Sequence, residues 1–194
     1  MNFLIDLFKL SFSDPSAAGV KLLALRLSIN AALSAFTVSI IFASIMIFAF
    51  NGFGLVVLLP GIPPLYPIFV VLIVGIGNLA LIGTIILAGR IFRAYGSFSD
   101  GVLLFAWVQM LQVILQVCQI VLSLFSVALA GIIGLFGSGL LFWVLFGLIN
   151  SWLSLASVWR AAFCFVLGLI GLSVCGSIIL AVSYTHLTLP TNRE

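Results

Sequence analysis

Between Leu27 and Gly89 the chain runs for 63 residues without an ionisable Asp, Glu, Lys, Arg or His, and between Gly101 and Trp159 for another 59. No water-soluble fold can be assembled from such stretches, because a soluble surface needs charge distributed along the chain. Up to Val182 the charges fall in three patches. Asp6, Lys9, Asp14, Lys21 and Arg26 form the first, Arg90, Arg93 and Asp100 the second, and Arg160 stands alone. The chain is 64% hydrophobic and 6% charged, against about 45–50% and about 25% in soluble domains. The expected class is therefore all-α, a polytopic membrane helix bundle with little mass outside the bilayer.

A helix needs about 20 apolar residues to cross roughly 30 Å of hydrocarbon. The first uncharged run holds two spans, at 27–50 and 66–89, divided by Asn51-Gly52 and by Pro60-Gly61-Ile62-Pro63-Pro64, which cannot continue a helix. The second run also holds two, at 101–125 and 131–151, with a soft break among the four glycines of 126–139. Residues 160–182 supply a fifth. All six Lys and Arg of residues 1–182 then lie in the N-terminal segment, the second-to-third loop and the fourth-to-fifth loop. The positive-inside rule makes that side cytoplasmic, with the N-terminus inside and the C-terminus external, in a membrane such as the bacterial inner membrane.

The domain reading is 1–26 as an interfacial amphipathic segment, 27–182 as the five-helix bundle and 183–194 as a non-native tail. That tail, Ser-Tyr-Thr-His-Leu-Thr-Leu-Pro-Thr-Asn-Arg-Glu, resembles sequencing-adapter read-through. It contains His186, Arg193 and Glu194, which are set aside for that reason. The first residues do not read as a signal peptide, because no basic n-region precedes them and Asp6 interrupts the apolar stretch.

The most specific internal pattern is in the third span, where Gln109, Gln112, Gln116 and Gln119 recur at three, four and three. At about 100° per residue they share one face spanning about 80°. Four primary amides facing lipid would be costly, so they face other helices or water. One reading is interhelical hydrogen bonding, with Asn78 or Asn30 as partners; the other is a polar groove for a headgroup or small solute. Small residues mark packing faces: Ala31, Ala35, Ser39 and Ala43 in the first span, Ala80, Thr84 and Ala88 in the second, Gly168, Gly171, Ser173, Gly176 and Ser177 in the fifth. Tyr66, Trp152 and Trp159 suit the membrane interface, and Trp143 a core position. Cys118, Cys164 and Cys175 are expected as small buried packing residues.

Before the first span, Asn2, Asp6, Lys9 and Ser13 share a helical face, while Phe3, Leu4, Leu7, Phe8, Leu10 and Phe12 fill the rest, as in a helix lying at the interface. Asp14 suits a cap, with Pro15 in the first turn that follows. In the 90–100 loop, Ser99 or Asp100 is the expected cap of the third span. Lys21, Arg26, Arg90, Arg93, Tyr95, Asp100 and Arg160 are candidate contacts on the cytoplasmic face, either as topological anchors or as a docking surface. No catalytic, cofactor-binding or metal-ligating set is expected, since no base accompanies the intramembrane Ser, Thr and Cys.

Several short motifs together resemble the Yip1 family in its bacterial form. They are Phe12-Ser13-Asp14-Pro15-x-Ala17-Ala18, Lys21-Leu22-Leu23-Ala24-Leu25, Gly89-Arg90, Tyr95-Gly96-x-Phe98-x-Asp100, and Ala106-Trp107-x-Gln109 with Gln116 and Gln119. The resemblance covers 1–182 and implies five spans with the N-terminus cytoplasmic. Eukaryotic relatives are implicated in vesicle traffic, membrane shaping and contact with prenylated Rab-type GTPases. Their Asp-Leu-Tyr-Gly-Pro signature is missing here, as is their long hydrophilic N-terminal region. The resulting expectation is a non-enzymatic scaffold or membrane-organisation protein. Its partners would be the bilayer and either further copies or other membrane proteins, with no nucleic acid. The alternative is a small transporter, channel or lipid-binding protein that uses the glutamine stripe.

Overall fold

The computed structural model of the chain describes residues 2–50 and 66–187. The described residues form seven α-helices and no strand: α1 (Asn2–Ser13), α2 (Pro15–Leu23), α3 (Ile29–Phe50), α4 (Pro67–Gly89), α5 (Phe98–Ser123), α6 (Val127–Trp152) and α7 (Val158–Leu187). Helices α3 to α7 are each long and apolar enough to cross a membrane, which makes this an integral, multi-pass membrane protein. Their outer surfaces agree. Ile68, Phe69, Leu72, Ile73 and Ile76 of α4 and Ile132, Leu135, Phe136 and Leu140 of α6 all face outward, an apolar surface of the kind that lipid covers.

The bundle core is assembled from α3 against α5, α5 against α6, and α4 against α7. Ile82, Ile85, Leu104, Val144, Leu148 and Ile149 sit at its centre. On α3 the buried face is Ala32, Phe36, Ser39, Ile40 and Ala43, whereas Ala31 and Ala35 are exposed. The expected alanine stripe is thus displaced by about one residue in its first half, because the larger Phe36 and Ile40 bury more apolar area. Between α4 and α7, Gly168 lies against Ile85, where a Cβ would meet Cγ1 at 2.7 Å, and Gly171 faces Thr84 at 3.6 Å. Ser173 and Ser177 point outward and return their hydroxyls to Leu169 O and Ser173 O, which satisfies them without a neighbouring helix. Of the cysteines, only Cys164 is buried; Cys118 and Cys175 are exposed.

Two helix starts differ from expectation. α5 begins at Phe98, capped by Ser97, whose Oγ accepts the Asp100 N–H at 3.1 Å. Ser97, Ser99 and Asp100 are all capping types, and tertiary contact selects the first: Trp152 Nε1 donates to Ser97 O at 2.9 Å. Trp152 is accordingly buried rather than an interface anchor. Trp143 is half exposed rather than core, and Trp159 is exposed. α6 begins at Val127 under the Ser126 cap, four residues early, and carries its glycines inside the helix. In hydrocarbon a broken backbone is costly, so glycine there serves close approach instead of breaking the helix.

α7 continues past Val182 to Leu187. The Asn51-Gly52 and Pro60–Pro64 breaks lie outside the described residues, as do Arg193 and Glu194.

Candidate functional site

Asp14 caps α2 by accepting the Ala17 N–H at 3.0 Å, with Pro15 at the first position. α1 and α2 do not simply lie beside the bundle. Leu7 and Ser11 are buried; Ser11 Oγ donates to Leu7 O at 2.8 Å and accepts Trp107 Nε1 of α5 at 2.9 Å. Gly19 lies against the Ser151 and Leu148 side chains, and Gly147 lies against Pro15, so α2 and α6 pack closely. Phe3, Leu4, Ile5, Phe8 and Phe12 stay exposed on α1. Lys21 Nζ lies 5.0 Å from the centre of the Phe3 ring. The N-terminal helices, the α4–α5 connection and the α6–α7 connection thereby meet at one end of the bundle, the charged end.

The glutamine stripe lies in the other half. Gln109 is buried, and Gln112, Gln116 and Gln119 are partly buried. All four line one groove of about 360 Å³, together with Asn78 of α4 and Ser138 of α6. Phe105, Phe142 and Phe165 supply aromatic walls, with Phe142 and Phe165 ring centres 6.0 Å apart. Among the described residues α5 and α7 make no close backbone approach, and the groove opens between them. From Gln109 to Gln119 it follows α5 for about 15 Å, at about 1.5 Å per residue. Gly134 lies against the Gln119 amide, which a Cβ there would displace. Gly137 lies against Leu115 in the same way.

Among the described residues no glutamine of the stripe hydrogen-bonds to another helix, and Gln116 Oε1 is buried without a protein partner. Asn78 gives its Nδ2 hydrogen to Val74 O of its own helix at 2.8 Å, so it does not pair with the stripe either. The structure thus brings Gln109, Gln112, Gln116, Gln119 and Asn78 to one groove without joining them. Primary amides both donate and accept, so the groove can bind groups of either polarity. Among the described residues no charged side chain lines it, so an ion entering would find no counter-charge from them. What it fits is an uncharged hydrogen-bonding group attached to something apolar.

The candidate face residues divide. Arg93, Tyr95 and Arg160 line a second cleft at the charged end, whereas Lys21, Arg26, Arg90 and Asp100 lie outside it. Sequence periodicity indicated the stripe. It could not indicate Ser138, Phe142 or Phe165, which reach the groove only through the packing of α6 and α7 around it. No protein-family model, no curated protein and no solved structure matches this chain.

Proposed function

We propose that this protein binds an uncharged, hydrogen-bonding ligand within the membrane, taking its polar group on the amides of α5 and its apolar part on the phenylalanine wall. The observation that carries this reading is the stripe itself: four amides on one groove, none bonded to a neighbouring helix among the described residues. A buried amide without a partner costs about 1–3 kcal/mol. Amides that served only to join helices would be found paired, so their partners come from whatever fills the groove. The volume falls at the lower end of small-molecule sites, which span about 300–1,000 Å³. A neutral lipid headgroup and a small neutral solute share this chemistry. If the positive-inside rule orients the chain, the groove lies toward the external leaflet.

The scaffold reading stays attached to the charged end, where α1 and α2 dock. The Yip1 resemblance supports five spans but assigns no role to the stripe.

The test replaces Gln109, Gln112, Gln116 and Gln119 singly with Leu in the full chain. Stopped-flow light scattering of proteoliposomes reads glycerol and urea flux, and native mass spectrometry reads retained neutral and zwitterionic lipid. Gln116→Leu is expected to keep helicity and lower one signal at least fivefold. A loss of flux identifies a solute path; a loss of lipid identifies a headgroup site. Loss of folding in all four variants, or no change in either signal, would return the stripe to a packing role.

A further inference from the structure

The charged end holds a second cleft, of about 340 Å³, between the α4–α5 and α6–α7 connections. Its lining includes Arg93, Tyr95, Ser154 and Arg160 over an apolar floor containing Phe92 and Leu153. We propose that this cleft binds a phosphate group, with Arg93 and Arg160 as its two cationic ligands and Ser154 and Tyr95 as hydroxyl donors.

Three of these residues are held against local preference. Arg93 (φ 56°) and Ser154 (φ 49°) adopt the left-handed conformation that glycine takes at no steric cost. Each follows a helix C-terminus, in a turn closed by Ala94 N–H to Gly89 O at 3.0 Å or by Leu155 N–H to Asn150 O at 2.9 Å. Such a position ordinarily carries Gly or Asn, and here both side chains line the cleft. Arg160 stands in the first turn of α7, where the field of the helix opposes a cation. Its guanidinium nevertheless lies over the Phe92 ring, 5.8 Å from the ring centre, and both residues line the cleft.

One internal use for these cations, bonding to the carbonyls of the α6–α7 connection, is partly met by Asn150. Asn150, oriented so that both its ends are satisfied, donates to Leu155 O at 2.8 Å and Ser157 O at 3.2 Å and accepts Ser16 Oγ at 3.3 Å. The Leu155 and Ser157 carbonyls therefore have a donor of their own. Among the described residues neither arginine is in an ion pair, and no carboxylate lines the cleft. Two arginines and two hydroxyl residues around one cleft offer the donors that phosphate oxygens accept, and arginine engages such oxygens two at a time. The phosphate could belong to a lipid headgroup or to a soluble ester. This site is independent of the amide groove, which has no cation.

The full chain, in detergent micelles with phosphatidylcholine, is titrated with phosphatidylglycerol and read by native mass spectrometry. Arg93→Gln and Arg160→Gln are each expected to weaken retention about tenfold, and Arg90→Gln, outside the cleft, to leave it unchanged. A parallel titration with inorganic phosphate separates the sources. Displacement of the lipid shows that free phosphate suffices, and retention shows that the headgroup is held as part of a lipid; either supports the site. Equal retention in the double Gln variant overturns the proposal. So does an equal loss in Arg90→Gln, which would mean diffuse attraction. Should a Gln variant fail to fold, Arg93→Lys with Arg160→Lys keeps the charge without the fork; wild-type retention there overturns the guanidinium assignment.

Discussion

Ser154 shows what a single side chain can cost. A non-glycine residue in the left-handed region is disfavoured by about 1–2 kcal/mol, and Ser154, at φ 49°, ends α6 in that region. Ser154→Gly should therefore raise stability by about 1 kcal/mol, offset slightly by the greater freedom of glycine in the unfolded chain. Thermal unfolding in detergent checks this, and an unchanged or lower midpoint would mean that the serine hydroxyl stabilises the turn. If the same variant also loses phosphatidylglycerol, stability and binding oppose each other at one position, as expected where a local rule is broken for function. Gln116 has a related character. Its buried Oε1 lacks a protein partner, which is a cost that simple packing does not explain.

At the scale of the helix, α2 illustrates how much of the fold the sequence leaves unwritten. Its cap and first turn were legible, since Asp14-Pro15 states them directly. Its docking on α6 was not, because Gly19 and Gly147 look like any other glycines until the two helices pack. The same applies to α6, where composition alone made a helix read as a break. The stripe on α5 was legible as a periodicity, but whether its amides pair or open depends on α7 standing apart, and no local pattern encodes that. Gly19→Val should separate α2 from Ser151 and Leu148 without disturbing the spans. The expected result is faster proteolysis of the N-terminal segment in the intact bundle, at unchanged helicity. An unchanged rate would show that the Trp107–Ser11 hydrogen bond and α1 hold the segment alone.

Across the whole molecule, the three charged patches were evidence of spans before they were evidence of shape. The fold supplies the missing step: α2 reaches Gly147 and Ser151 of α6, Trp152 reaches Ser97, and Arg160 reaches Phe92, so all three patches share one end. Which side of a membrane that end occupies is a separate matter, decided by Lys and Arg flanking the spans. The far end offers none in the described Leu124–Ser126 turn between α5 and α6. With Cys118, Cys164 and Cys175 replaced by Ser, single cysteines at Lys9, Tyr95 and Ser154 should react with an impermeant maleimide from one side, and a cysteine at Phe125 only from the other. If the positive-inside rule orients the chain, the first side is cytoplasmic. Labelling of the Lys9 and Phe125 positions from the same side would break the five-span alternation. Labelling of all four in the reverse sense would keep the fold but invert the membrane, placing the arginine cleft outside and the amide groove toward the cytoplasmic leaflet. That inversion would change which lipids and solutes each site meets, and so the identity of both proposed ligands depends on the charge asymmetry visible in the sequence.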